Sequence, residues 1–417
     1  MRNTNYLNDL YRDMWWKSSI ELNIDKKTIS YLEKKKREKT LDLFIDRIIK
    51  HIGDFPEDIE ERKVWREEGN KYIDRIIEVD DTFRLGTLDI KMKDQFFKST
   101  KLFIKACRDF DKDIDYNDIG QAMRNVWIVN IFQKVMGRDI EFSNAIFGYS
   151  MLYPYTDNYL DNIKVTLEDK KNFNNRFSKR LMGLQIDAKD DYEEKVYELV
   201  NCIEEVFNRE EYPKVYEGLL LIHEGQKKSL YEQEDVSIPY ERDMLSISIE
   251  KGGASVLADG YLVCGELTKE EEIFAYWYGF LLQVCDDLQD VKDDLKNNHM
   301  TIISQLVGKY NLDKIINKLI NIIIDIVDNA TCFKGENIKD LKDLIKDNCI
   351  TMVLFAIVDN KEYFSKEYIK ELSGYLPFNL GYMESLEIKL KKKFKVLKPS
   401  YHGVEIEDIL IYLFEVE

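Results

Sequence analysis

A hydrophobic segment that ends in carboxylates constrains this chain more than any other feature. Residues 273–285 read IFAYWYGFLLQVC, so a helix there would be covered on every face, and Asp286, Asp287 and Asp290 follow directly. Asp286 and Asp290 are four residues apart and project from the same helical face. Burying such carboxylates without partners is costly, because desolvation and mutual repulsion both disfavour the charged form. We therefore expect a bound cation at this segment.

The candidate ligands around these aspartates indicate Mg²⁺ rather than Zn²⁺. They are hard oxygens, with Gln283 one turn earlier, and no His or Cys stands at metal-ligand spacing. Such oxygens suit Mg²⁺ that is shared with phosphate groups. The alternative is a helix whose acidic end is simply solvated, since acidic runs usually mark an exposed face.

A second acidic cluster occurs earlier in the chain, at Asp157, Asn158 and Asp161. It reads DNYLD and again follows an apolar approach, residues 147–155. Facing helices in a bundle core are a usual place for a metal site. Mg²⁺ ions held between the two clusters would bind a diphosphate and stabilise it as a leaving group.

These two clusters resemble the aspartate-rich motifs of trans-isoprenyl diphosphate synthases, in the class I isoprenoid synthase superfamily. The second motif, GxxxQxxDDxxD, is present as Gly279, Gln283, Asp286, Asp287 and Asp290. DNYLD resembles the first motif, with Asn in place of its second aspartate. The resemblance implies an all-α bundle, a prenyl diphosphate substrate and three Mg²⁺ ions held by both motifs.

Two further motifs stand in the order that this family has. Lys251 precedes two glycines and stands near the sequence position of the family's diphosphate-binding lysine. Residues 119–125, IGQAMRN, resemble a degenerate GKxxRP motif. The resemblance spans residues 115 to 305. The paired glycines, Gly252 and Gly253, are costly within a helix, so we expect either a helix break that faces the substrate or close helix packing.

Five further residues are candidates for substrate binding. Arg176 and Arg180 lie four apart and could reach the diphosphate or pair with surface acids, and Lys227 is a third cation for this purpose. Arg242 stands about where similar terpene synthases place a diphosphate-sensing arginine. Tyr153, just before the first motif, could line the prenyl-chain cavity, as the resemblance implies, or belong to the core.

His223, which follows a run of Leu and Ile, is expected to be a core or boundary residue rather than a catalyst. No residue can be assigned from the sequence as the general base of a final deprotonation. The diphosphate itself could serve.

The departures from the family pattern favour one reaction over another. The lysine position of GKxxRP is Gln121, only Arg124 is kept, and no arginine pair follows Asp161. The negative charge of a second diphosphate would be poorly neutralised, because the strong contacts to phosphate are those made by charged side chains and few remain here. The sequence therefore predicts a terpene synthase that ionises one prenyl diphosphate and releases a hydrocarbon.

The chain is also similar to the bacterial large-terpene synthases, whose first motif likewise ends in YLDN, as residues 159–162 do here. That similarity implies a long substrate, between C20 and C35. Two alternatives stay open. One is an isoprenyl diphosphate synthase that elongates or joins chains, and the other is a silent regulatory subunit, for which Asn158 is the one hint.

Composition agrees with an all-α fold, because Pro is rare, at 6 of 417 residues, and strand-like alternation does not recur. We expect an N-terminal helical extension at 1–95, the synthase core at 96–335 and C-terminal helices packed on it at 336–417. A net charge of −17 argues against nucleic acid as a partner.

The six cysteines are scattered in apolar context, and no signal peptide or 18-residue apolar stretch is found. These features predict a cytoplasmic protein without a transmembrane segment. Its oligomeric state is open, with a homodimer as one option.

Overall fold

The computed structural model describes residues 5–24, 27–78, 89–162, 164–229 and 241–414, which are mostly α-helical. In this part of the chain the α-helices are, in order, α1 (Asn5–Lys17), α2 (Tyr31–Gly53), α3 (Ile59–Glu78), α4 (Ile90–Phe110), α5 (Tyr116–Val135), α6 (Asn144–Asp161), α7 (Leu167–Leu181), α8 (Asp191–Val206), α9 (Pro213–Ser229), α10 (Met244–Cys264), α11 (Lys269–Gln289), α12 (Val291–Asn297), α13 (Asp313–Asn329), α14 (Ile338–Asp359), α15 (Lys366–Leu372), α16 (Leu380–Phe394) and α17 (Ile406–Phe414).

Other regular structure in the described ranges is short. Two 3-10 turns span Ser304–Leu306 and Lys361–Tyr363, and strands β1 (Ser400–Tyr401) and β2 (Val404–Glu405) pair antiparallel. The predicted all-α class is therefore confirmed. A search of the described helices found none with the length and apolar character needed to cross a membrane.

Helix α11 forms the centre of the main core, as its apolar sequence predicts. It begins with a capping box, in which Thr268 Oγ1 accepts a hydrogen bond from the Glu271 backbone and the Glu271 carboxylate accepts one from the Thr268 backbone. Tyr276, Trp277 and Phe280 are fully buried. Burial on all sides fixes the position of the acidic end of the helix.

Helices α10 and α11 approach each other at glycines. A Cβ atom added to Gly279 would lie 1.9 Å from the carbonyl oxygen of Gly252, and one added to Gly252 would lie 2.3 Å from the carbonyl oxygen of Gly279. Helix α10 continues without interruption through Gly252 and Gly253, so the expectation of a helix break is wrong there. Close helix packing is the reason for these glycines.

Two separate hydrophobic cores are present in the described residues. The main core includes Leu7, Tyr11 and Trp15 of α1, and the Tyr11 hydroxyl donates to the Ile273 carbonyl oxygen at 2.6 Å. The smaller core joins α2 and α3 to α17; its buried members are Ile52, Phe55, Trp65, Ile409 and Leu413. Helix α1 therefore packs with the main core, and the boundaries near 95 and 335 stay a prediction.

Candidate functional site

A cavity of about 270 Å³ lies between α5, α6, α9, α10, α11 and α14. Three of the four sequence motifs contribute to its wall. Neither Asp157 nor Asn158 of the first acidic motif is among the described residues that line it. The polar side chains that line it are Gln121, Arg124, Asn125, Tyr153, Gln226, Lys251, Ser255, Gln283, Asp286 and Gln289. The larger apolar side chains are Ile128, Ile222, Val256, Leu282 and Met352. One cavity thus combines a charged region with an apolar one.

The second acidic motif continues one turn further than the sequence motif, to Asp294. Helix α11 ends at Gln289, but the Asp290 amide donates to the Asp286 carbonyl oxygen at 2.9 Å and the Asp294 amide to the Asp290 carbonyl oxygen at 2.9 Å. Because this four-residue hydrogen bonding continues into α12, the three aspartates follow one another along one face.

Electrostatics in this row of aspartates disfavour the charged state. Burial raises the pKa of Asp290, and repulsion from Asp286 raises it further. Burial, followed by repulsion from Asp290, raises the pKa of Asp294 to about 6. Sequence reasoning omitted Asp294, although its position four residues after Asp290 is the same spacing once more. These carboxylates have the charge and the hard oxygens that a divalent cation would neutralise.

Asp287 has different surroundings from the aspartates beside it. It is buried where α10 and α11 meet, and its carboxylate accepts hydrogen bonds from Ser248 Oγ at 3.2 Å and Gln283 Nε2 at 2.8 Å. One residue turns a side chain by about 100° around a helix, so adjacent aspartates cannot share a face. The structure places the Asp287 carboxylate in the interface of α10 and α11, and its predicted role as a metal ligand stays a prediction.

The first two residues of the first motif form hydrogen bonds with two different helices, α9 and α5. Asp157 accepts a hydrogen bond from Gln226 Nε2 of α9 at 2.6 Å. Asn158 is exposed and donates to Asp118 of α5 at 2.7 Å, so its amide nitrogen faces α5. The side chain of Asp161 lies outside the described part of the structure. Gln226 is a second residue that the sequence-based site did not include, although it stands directly before the predicted Lys227 in the last turn of α9.

Tyr153 is affected by charges from both acidic motifs. The pKa of its phenol is raised by Asp157 first, then by burial, and also by Asp286, while Lys251 and Arg124 lower it. Charges from α5, α6, α10 and α11 therefore act on one hydroxyl group. Asp157 of the first motif and Asp286 of the second are therefore both near Tyr153, which lines the cavity.

The predicted cations fall into two groups. Lys251 lines the cavity, whereas Arg176 and Arg180 of α7 form ion pairs with α8. Arg176 Nε donates to Glu193 at 2.9 Å, and Arg180 donates to Glu204 at 2.6 Å and to Asn201 at 2.5 Å.

Acidic residues on the facing helix explain why α7 does not supply the cavity with arginines. The prediction that Arg176 and Arg180 reach the diphosphate is therefore corrected, and their pairing with acids was the other reading of the sequence. Lys227 Nζ contacts Glu224 of its own helix at 2.9 Å. Arg242 stands two residues before α10 and is not among the described residues that line the cavity.

The residues present fit Mg²⁺ as a shared ion rather than a fully enclosed one. Among the residues described, no group of three or more His, Cys, Asp or Glu side chains is arranged to hold a metal ion. The row of Asp286, Asp290 and Asp294 offers hard oxygens, and a bound cation would counter the rise in the pKa of Asp290 and of Asp294. An ion bound there would take its other ligands from the substrate or from water.

Comparisons with protein-family models, with curated proteins and with solved structures found no match to this chain.

Proposed function

We propose that this protein is a Mg²⁺-dependent class I terpene synthase that ionises one prenyl diphosphate and releases diphosphate and a hydrocarbon. The observation that carries the proposal is the convergence of three motifs on one cavity, represented by Arg124, Lys251 and Asp286. Tyr153 also lines this cavity, and Gln226 of its wall donates a hydrogen bond to Asp157 of the first acidic motif. These residues are far apart in sequence. Their meeting beside an apolar wall provides separate places for an anionic head and a hydrocarbon tail.

The polar end of the cavity would hold the diphosphate. Lys251 and Arg124 supply positive charge, and hydrogen bonds between charged groups and phosphate oxygens are the strong ones. Asp157, Asp286, Asp290 and Asp294 would hold the metal ions. When bound, Mg²⁺ neutralises the charge that develops on the departing diphosphate.

The apolar part of the cavity would hold the prenyl chain and exclude water from the allylic cation. Ile128, Val256, Leu282 and Met352 form this wall. Water exclusion matters because a cation that meets water ends as an alcohol. A volume of about 270 Å³ lies just below the range typical of ligand pockets, about 300–1,000 Å³. This favours the shorter substrates between C20 and C35.

An isoprenyl diphosphate synthase is the second candidate, and Arg124 is the observation in its favour. This arginine of the degenerate GKxxRP motif lines the cavity, where a second diphosphate would need a cation. Gln121, in the lysine position, lines it as well and is neutral. Arg176 and Arg180 pair with α8 instead. Few cations are therefore available to neutralise the negative charge of a second diphosphate, which favours the single-substrate reaction.

The test is diphosphate release with Mg²⁺ from C15, C20, C25 and C35 prenyl diphosphates, each with and without isopentenyl diphosphate, with products analysed by mass spectrometry. Release from one allylic substrate alone, with a hydrocarbon product, would support the proposal. Release that requires isopentenyl diphosphate, with a longer diphosphate as product, would replace it with chain elongation.

A matched pair of variants tests the site assignment. Asp286→Asn keeps the side-chain shape but removes a charge that faces the cavity, and we expect release to fall about 10²–10³-fold, as when an electrostatic catalytic group is lost. Asp293→Asn alters an exposed carboxylate in the same segment and should leave the rate near that of the wild type. Equal rates in the two variants would refute the assignment.

A further inference from the structure

A small second cavity of about 20 Å³ adjoins the main one. The two share Tyr153, Ile222 and Gln226, and the apolar members of the smaller wall include Leu152, Phe177 and Leu219. Its volume suffices for one group of the size of a water molecule or a methyl group. A group bound in the main cavity beside Ile222 would therefore adjoin this space.

His223 supplies the one imidazole among the described residues of this small wall. Its Nε2 lies 3.2 Å from the carbonyl oxygen of Asn174. A carbonyl oxygen only accepts, so Nε2 carries the hydrogen and Nδ1 of the neutral ring keeps a lone pair. Phe177 meets the ring edge to face, with centroids 5.1 Å apart, and so restrains its orientation.

The protonation state of His223 suits a proton acceptor. Burial above all, with a smaller contribution from Lys227, lowers its pKa to about 4, although the Asn174 carbonyl and Glu224 act in the opposite sense. The imidazole is therefore neutral near pH 7. In the same wall, the hydroxyl of Tyr149 donates to the Ser255 carbonyl oxygen at 2.9 Å and is already engaged.

We propose that His223 accepts the proton that ends the cationic reaction, an inference that rests on the proposed function. A C–H bond next to the cationic carbon breaks, its electron pair forms the new C=C bond, and the proton joins Nδ1. No oxidant or reductant is needed. Because a carbocation is a very strong acid, the weakly basic imidazole is sufficient.

A purely structural role accounts for less of the geometry. It explains the contact between Nε2 and Asn174 but not why the imidazole lines a cavity that adjoins the main one. Within the described residues, no hydrogen bond to Nδ1 is present.

The experiment compares the products of His223→Gln with those of the wild type. Glutamine can still donate to the Asn174 carbonyl oxygen, but its amide is not a base. We expect diphosphate release at a rate similar to that of the wild type, with the main alkene reduced about tenfold or more and replaced by isomers or alcohols. Positioned general bases contribute roughly 10²–10⁴-fold. An unchanged product distribution would overturn the inference.

Leu219→Ile is the control, because it alters the shape of the same wall without removing a base. If Leu219→Ile changes the product distribution as much as His223→Gln does, the effect of His223 comes from the shape of the cavity, and the inference is overturned. If His223→Gln does not fold, His223→Phe is measured in the same way, and a substrate with deuterated methyl groups is given to the wild type. Methyl deuteration that leaves the product ratio unchanged would also overturn it. Absence of diphosphate release from the wild type would instead refute the proposed function.

Discussion

Asp259 of α10 makes the stability of this protein depend on pH in a predictable direction. Its side chain is completely buried, and neither carboxylate oxygen has a hydrogen-bond partner in the described part of the chain. Burial raises the pKa of Asp259 well above its ordinary value of 3.8. The folded protein therefore keeps a proton on Asp259 at pH values at which the unfolded chain has lost it.

The size of the effect follows from this one proton. Where the folded state binds one proton more than the unfolded state, the free energy of unfolding falls by about 1.4 kcal/mol for each unit of increasing pH. The fall begins as pH rises past the unfolded pKa and ends once the folded pKa is passed. Asp259→Asn removes the titrating group and keeps its shape. We expect the variant's advantage over the wild type to grow by about 1.4 kcal/mol per pH unit in this window.

Urea unfolding followed by circular dichroism, at about pH 5, 6 and 7, measures this difference. Asp325→Asn, which changes an exposed carboxylate on α13, is the control and should follow the wild type at each pH. If the curves of Asp259→Asn and the wild type run parallel, Asp259 is ionised in the folded protein. The reasoning from burial would then be refuted.

Two further predictions concern the site. Gly279→Ala places a Cβ atom 1.9 Å from the Gly252 carbonyl oxygen, so we expect a loss of about 1–3 kcal/mol or more in the free energy of unfolding, together with slower diphosphate release. Gly381→Ala, whose Cβ atom would meet nothing within 4 Å, should keep both its stability and its rate of diphosphate release. Equal urea midpoints for Gly279→Ala and Gly381→Ala would contradict this prediction. Asp294→Asn should raise the Mg²⁺ concentration needed for half-maximal release roughly 10–100-fold, and an unchanged Mg²⁺ titration would remove Asp294 from the site.

The sequence predicted the features that depend on helical periodicity. The apolar run of α11, the acidic end that follows it and the all-α class all come from spacing and composition, and the structure has each of them. The same periodicity pointed to Asp294, because a row of carboxylates four residues apart has no reason to end at Asp290 while the backbone hydrogen bonding continues. It was omitted because the family motif stops there.

What could not be predicted depends on which helix lies opposite. Whether Arg176 serves a substrate or an acid is decided by Glu193 on α8, and nothing in the sequence around Arg176 identifies that partner. Asp287 is a similar case, since Ser248 on α10 determines its place in the interface. The role of a side chain whose partner comes from a distant helix therefore has two possible interpretations until the helix packing is known.

The glycine contact explains why the cation and the carboxylates of the site come together. Gly252 and Gly279 let α10 and α11 approach at one point, and Lys251 and Gln283 lie next to that point along their helices. A side chain at either glycine would push the helices apart and move Lys251 away from Asp286. The backbone contact thus sets the spacing between a group that would bind the diphosphate and a group that would bind its metal ion. Residues that never touch the substrate would control catalysis in this way.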